Sequence, residues 1–292
     1  MPITTNGQVE LYHDSFGDPS GEPLLLVNGL GSQCIRYRAE WCDRFVAAGF
    51  FVMRFDNRDV GLSTKFEGLP DLKGIRSALS EGRRPEAHYT LTDMALDAVA
   101  VLDANGVESA HVMGLSMGGM IAQTLAVEHP ARVRTLVSVM STTGDADVGR
   151  SSPEANRLLM TPARPDRDGV VERALEAARV YGSPEHIDPE RIAASAIEEF
   201  ERCFCPEGTA RQLGAITASG SRSEALAGID IPTLVIHGDH DSLIDPSGGR
   251  RTAEVIPGAR FELIEGMGHD YPPAFWDRIV ELVAENAGLS ST

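Results

Sequence analysis

The chain has 292 residues, which suits one large α/β domain, or one such domain carrying an insertion, and is enough to bury a sizeable core without staples. With 42% hydrophobic and 24% charged residues, it has the composition of an ordinary soluble globular protein. A formal charge of −17, from 43 Asp and Glu against 26 Lys and Arg, argues against nucleic acid and anionic membranes as partners.

Gln8-Val9-Glu10-Leu11-Tyr12-His13 alternates in polarity and predicts a partly exposed strand. Leu24-Leu25-Leu26-Val27 is continuously apolar, as in a strand covered on both faces, and runs into the loop Asn28-Gly29-Leu30-Gly31-Ser32. A helix follows with Trp41, Phe45 and Val46 inward, then the buried strand Phe50–Phe55 and a polar loop from Asp56 to Ser63. Residues 64–89 have no clear period and read as an excursion over the sheet edge. Asp93–Asn105 carries the apolar stripe Met94, Ala98, Val101 and Leu102, with Thr90 or Thr92 as its cap and Gly106 just past its end. Ala110–Met113 predicts a strand, Met120–Glu128 a helix stopped by Pro130, and Val133–Met140 a further strand.

From about Thr142 to Leu226 the chain changes character. It holds helical runs over Glu154–Met160, Val170–Tyr181 and Pro189–Cys203 and no convincing buried strand. This predicts a helical lid, 142–226, inserted into a core made of 1–141 and 227–292. The strand–helix rhythm resumes with Thr233–His237, Arg260–Ile264 and a closing helix over Pro273–Asn286. Such alternation implies a mostly parallel sheet with helices on both faces, and ligands then bind beyond the carboxyl ends of the strands. Asn28, Asp56, Ser116, Asp241 and His269 all follow predicted strands and should meet on that rim.

The four cysteines, Cys34, Cys42, Cys203 and Cys205, form no C-x-x-C pair, and the start lacks the basic and apolar regions of a secretory leader. No stretch approaches the roughly 18 apolar residues of a membrane span. These features predict a cytoplasmic protein with free thiols.

The chemistry centres on Gly114-Leu115-Ser116-Met117-Gly118-Gly119, which stands between a predicted strand and a predicted helix. Strand, G-x-S-x-G and helix together make the nucleophile-elbow pattern, with small residues flanking a strained turn. A serine hydroxyl at neutral pH needs a base, and the base an orienting acid. In this architecture both lie downstream, acid before base. His237-Gly238-Asp239-His240-Asp241-Ser242-Leu243-Ile244-Asp245 offers Asp239, Asp241 and Asp245, of which Asp241 is best placed to turn toward the site. Asp239 shapes the turn, and Asp245, before Pro246, starts a helix. His269, in the glycine-rich loop after the last strand, is the expected base, ahead of His111, His129, His186, His237 and His240. The N–H of Met117, and that of Leu30 from the loop after Val27, are the expected oxyanion donors. Gly29 belongs to the same loop, and Asn28 either organises it or touches substrate.

Over nearly the whole chain these residues resemble the α/β-hydrolase superfamily. The matching pieces are Val27-Asn28-Gly29-Leu30-Gly31, Asp56-x-Arg58-x-x-Gly61-x-Ser63, the elbow, His237-Gly238-x-x-Asp241 and Gly268-His269. The resemblance implies an eight-stranded sheet with its second strand antiparallel and a helical cap after the sixth. Asn28 replaces the His of many members, and Asp59 replaces a Gly. The Asn-Arg-Asp-x-Gly form resembles the branch containing aclacinomycin methylesterase. The expected activity is therefore hydrolysis of small to medium hydrophobic carboxylic esters, methyl esters among them. Neither cofactor nor metal is expected, and the chain should act as a monomer or homodimer. Leu158, Leu159, Met160, Val180, Tyr181, Phe200 and Phe204 are lid candidates for the pocket wall, in competition with plain packing. The rival activities are those of a cofactor-free perhydrolase or haloperoxidase, a lactone or carbon–carbon bond hydrolase, and a non-catalytic receptor.

Overall fold

Buried apolar strands set the architecture. The computed structural model describes residues 2–289. Its strands are β1 (Ile3–Asn6), β2 (Val9–Phe16), β3 (Glu22–Val27), β4 (Phe50–Phe55), β5 (Ala110–Leu115), β6 (Val133–Val139), β7 (Thr233–Gly238) and β8 (Arg260–Ile264). They form one eight-stranded sheet in the order β1-β2-β4-β3-β5-β6-β7-β8. β2 pairs antiparallel with both neighbours, and every later pair is parallel.

The helices are α1 (Ala39–Ala47), α2 (Leu72–Ser80), α3 (Leu91–Ala104), α4 (Met117–Glu128), α5 (Pro153–Leu159), α6 (Arg167–Tyr181), α7 (Pro189–Arg202), α8 (Pro206–Ser219), α9 (Ser223–Leu226), α10 (Ser247–Val255) and α11 (Trp276–Asn286). Successive strand residues point to opposite faces, so the sheet carries two cores. Leu25, Val27, Met53 and Val112 pack with Met94 and Leu102 of α3 and Ile121 and Leu125 of α4. Leu24, Leu26, Val52 and Met113 pack with Trp41 and Phe45 of α1 and Ile279 and Val283 of α11. Trp41 stacks on Trp276 with ring centroids 5.7 Å apart, joining α1 to α11.

Between β6 and β7 the described residues form helices and no strand. Among the described residues no helix is long and apolar enough to cross a membrane.

β1, α2, α8 and the one-turn α9 were not legible in the sequence, and of α10 only the start was. β1 is half exposed along its length, so it carries no apolar signal. α2 buries only Ile75 and Ala78 and contains Gly74. α8 and α10 hold internal glycines that lower helix propensity but permit close packing. A Cβ at Gly208 in α8 would lie 2.1 Å from Asp59 O, and one at Gly249 in α10 would lie 2.4 Å from His237 Nδ1.

The loop after β4 is pinned by charge. Arg58 donates from Nε and Nη2 to the two oxygens of Asp97 on α3, at 2.6 and 2.7 Å. Asp97 is fully buried and Arg58 nearly so. Breaking such a pair strands a buried charge, at about 3–5 kcal/mol. Asp97→Ala should lower the urea unfolding free energy by that order, and Asp97→Leu with Arg58→Met should recover much of it. A loss under about 1 kcal/mol in the single variant would rule out the structural role.

Candidate active site

β5 delivers the chain to Ser116, whose backbone sits at φ 54 and ψ −117, and α4 begins at the next residue. A non-glycine residue there stores roughly 1–3 kcal/mol of strain, which the surroundings must hold. They do so through four hydrogen bonds. Ser116 N donates to Val139 O at 2.9 Å, and Ser116 O accepts from Gly119 N, Met120 N and Ser141 Oγ. The flanking glycines are sterically required. A Cβ at Gly114 would lie 2.0 Å from Gly118 O, and one at Gly118 would lie 2.0 Å from Val27 O. The bend therefore wedges against the end of β3, and Ser116 Oγ emerges at the N-terminus of the 12-residue α4.

His269 reaches Ser116 from 153 residues away in the chain: its Nε2 is 3.0 Å from Ser116 Oγ. Its Nδ1 is 2.7 Å from Asp241 Oδ2. The facing carboxylate fixes the proton on Nδ1 and leaves Nε2 as acceptor toward the hydroxyl. Asp241 Oδ1 accepts from Leu243 N at 2.9 Å and Ile244 N at 2.8 Å. The rival acids are occupied elsewhere. Asp239 accepts from Gly266 N, and Asp245 accepts from Ser247 N at the start of α10.

His237, passed over as a candidate base, meets Asp241 from the other side. It is fully buried, with Nε2 3.2 Å from Asp241 Oδ2 and 2.8 Å from Ile244 O. Both neighbours are acceptors, so Nε2 carries the proton. The signal available in the sequence was its place two residues before Asp239, on an apolar strand with nothing to pair it.

The loop after β3 lies against the serine. Gly29 packs beside it, since a Cβ there would lie 3.3 Å from Ser116 Cβ. The N–H groups of Leu30 and Met117 have no hydrogen-bond partner among the described residues. Of the two roles open to Asn28, its contacts match loop organisation rather than substrate contact. It is fully buried and absent from the cavity lining, and its Nδ2 donates to Gln33 O at 3.1 Å within the loop. The loop is buttressed by Gln212 of α8, which accepts from Gly31 N and donates to Arg58 O, both at 2.8 Å.

Ser116, His269, Gly29, Leu30 and Met117 line one cavity of about 320 Å³. Its walls include Leu159, Tyr181, Leu213 and Ile216 from the helical segment. Of the expected lid residues only Leu159 and Tyr181 reach it. Leu213 and Ile216 were missed with α8. Phe200 and Phe204 instead pack edge-to-face on each other, 5.2 Å apart. Leu158 is buried away from the cavity, and Met160 is exposed.

The segment is fastened beside the site. Arg202 Nη2 of α7 is 2.7 Å from Asp56 Oδ2, and Arg211 of α8 forks onto Asp59 at 2.9 and 2.7 Å. On the opposite side His269 N donates to Tyr181 O at 2.6 Å, and Gly268 N donates to Ser183 Oγ at 2.9 Å.

The family model for the alpha/beta hydrolase fold matches residues 22–272. The chain belongs to that family, and it is a hydrolase. It is 32% identical to rhodomycin D methylesterase DauP of Streptomyces sp. (strain C5) over 93% of both chains. It is 31% identical to rhodomycin D methylesterase DnrP of Streptomyces peucetius, again over 93% of each. Among solved structures it resembles the enol-lactonase from Burkholderia xenovorans LB400, with a TM-score of 0.74 at 22% identity, covering 98% of this chain and 100% of that one.

Burial alone would raise the pKa of Asp241. The facing His269 and the hydrogen bonds from His237 and His269 outweigh it and hold the carboxyl well below the usual range. A depressed native pKa contributes stability that is complete above the unfolded value of about 4 and is lost as pH falls below it. Asp241→Asn should therefore flatten the fall in unfolding free energy between about pH 4 and pH 3. Urea titrations at those values test this. Parallel pH slopes for the two proteins would contradict it.

Proposed function

We propose that this hydrolase cleaves carboxylic esters through Ser116, His269 and Asp241. The observation that carries the reading is the continuous chain Ser116 Oγ, His269 Nε2, His269 Nδ1 and Asp241 Oδ2, with links of 3.0 and 2.7 Å, opening on a cavity beside two unspent N–H groups. Ser116 attacks the ester carbonyl while His269 takes its proton. The N–H groups of Leu30 and Met117 hold the oxyanion, each worth a few kcal/mol in the transition state. The alcohol leaves with the proton from His269, giving an acyl-serine. Water deprotonated by His269 then attacks the acyl carbon, and Ser116 departs as its proton returns. Asp241 holds the imidazole tautomer and stabilises its charged form.

The helical segment 142–226 acts as a cap over the core and sets substrate shape. The cavity of about 320 Å³, with Leu159, Leu213, Ile216, Met120 and Leu243 on its walls, suits small to medium hydrophobic esters. Similarity to two methylesterases over 93% of their length favours methyl esters among them. The reading includes a reducing, cytoplasmic setting, which the free thiols at Cys34, Cys42, Cys203 and Cys205 support.

A panel of methyl and p-nitrophenyl esters tests the reading. Ser116→Ala should lower turnover by about three orders of magnitude or more, and a loss under about tenfold would overturn the assignment. His237 serves as a positioning residue for Asp241. His237→Leu should lower kcat by about tenfold with little change in KM, while His237→Gln, which can donate from a similar place, should retain most activity. Equal effects of the two would mean that His237 only fills space.

A further inference from the structure

The cavity carries one charge that the ester chemistry does not use. The chain has 43 acidic residues and a net charge of −17, yet the single permanently charged side chain lining the cavity is a cation, Arg36. A random sampling of this surface would have favoured a carboxylate.

Arg36 ends the short 3-10 turn Cys34–Arg36, directly beyond the oxyanion loop. The turn is anchored, because Cys34 N donates to Asp56 Oδ1 at 2.7 Å. The Arg36 side chain keeps 45% of its surface accessible. The Glu199 and Asp270 carboxylates favour its charge. Glu199 Oε1 stands 3.3 Å from Nε. Nη1 and Nη2 make no hydrogen bond among the described residues. Arginine presents two donor edges, and the Nη1–Nη2 edge remains for a planar anion. Tyr181 and Tyr271 line the same cavity, and their hydroxyls likewise have no hydrogen-bond partner among the described residues. Tyr271 is held in place by stacking on Trp41 at 5.0 Å and Tyr37 at 6.2 Å.

We propose that Arg36 forms an anion subsite in this cavity, taking a carboxylate at the end of the substrate remote from the ester. The preferred substrates are then half-esters of dicarboxylic acids, or larger esters carrying one acidic group, rather than wholly neutral esters. This substrate class rests on the ester-hydrolase reading, but the binding site itself does not. Glu199 tempers the charge, which keeps the site from binding every small anion and makes release of an acidic product possible.

The test is calorimetric binding of monomethyl adipate and of neutral methyl hexanoate to Ser116→Ala protein, which holds either ligand without turnover. Monomethyl adipate should bind about tenfold or more tightly than methyl hexanoate, as one charge-assisted contact warrants. Adding Arg36→Gln should erase that preference while changing methyl hexanoate binding by less than about twofold. Adding Glu199→Gln, which removes the competing carboxylate and keeps the arginine, should tighten monomethyl adipate. Equal affinity of the two ligands for Ser116→Ala protein, or a preference that survives Arg36→Gln, would overturn the anion subsite. Failure of the ester-hydrolase reading looks different: turnover of wild-type substrates would survive Ser116→Ala while the adipate preference stood.

Discussion

The structure depends on one close approach, that of the Gly118 backbone to the last carbonyls of β3. With 2.0 Å between a hypothetical Cβ at Gly118 and Val27 O, no other residue fits without moving the helix or the strand. That contact fixes the angle at which α4 leaves β5. The angle in turn forces Ser116 into positive φ and lifts its hydroxyl clear of the sheet. The same contact sets the glycine-rich loop that continues from Val27 against the serine. Strain, exposed hydroxyl and neighbouring N–H groups are thus consequences of a single packing constraint. The strain is sustained because Ser116 directly follows the fully buried strand β5 and its N–H is held by Val139 O at the end of β6.

The remaining groups arrive on loops, but those loops are not loose. Asp241 is gripped by two backbone N–H groups and by His237, so its second oxygen has a defined direction before His269 meets it. His269 in turn is tied by its own N–H to Tyr181 in the helical segment. The cap reading therefore has an energetic content. The segment is joined to the loop after β4 by ion pairs, Asp56 with Arg202 and Asp59 with Arg211, and to the histidine loop by hydrogen bonds that include Ser183 N on the Asp270 carboxylate. A shift of α6 would disturb the base directly, whereas a shift of α7 or α8 would expose a buried carboxylate. Within the cavity Arg36 contributes the one permanent charge, and it shares the wall with the phenols Tyr181 and Tyr271.

Much of this was legible in the residues. The continuous apolar runs gave β3 to β7, because strands buried on both faces need no alternation. Ser116 and Asp241 each follow such a strand and His269 follows the partly exposed β8, so topology alone sends them to one rim. Asp239 and Asp245 could be set aside as turn and helix-start residues, and their side chains do bind Gly266 N and Ser247 N. What failed was any inference that needed knowledge of a packed neighbour. α8 was invisible because its glycines serve close approach to Asp59 and Pro70 rather than local propensity. With it went Gln212, Leu213 and Ile216. Two roles stayed open for Asn28 for a related reason: whether a polar side chain faces inward to Gln33 or outward to a ligand is decided by tertiary contacts. His237 showed no periodic signal of its role, because its partner is the acid itself.

The account stands on Ser116 being made nucleophilic by His269. The most direct measurement is the rate at which a fluorophosphonate labels the protein, with the modified residue located by mass spectrometry, in wild type and in His269→Ala. Labelling at Ser116 alone, slowed by about a hundredfold or more in His269→Ala, is the predicted result. Equal labelling rates in the two proteins, or an adduct on a different residue, would contradict it.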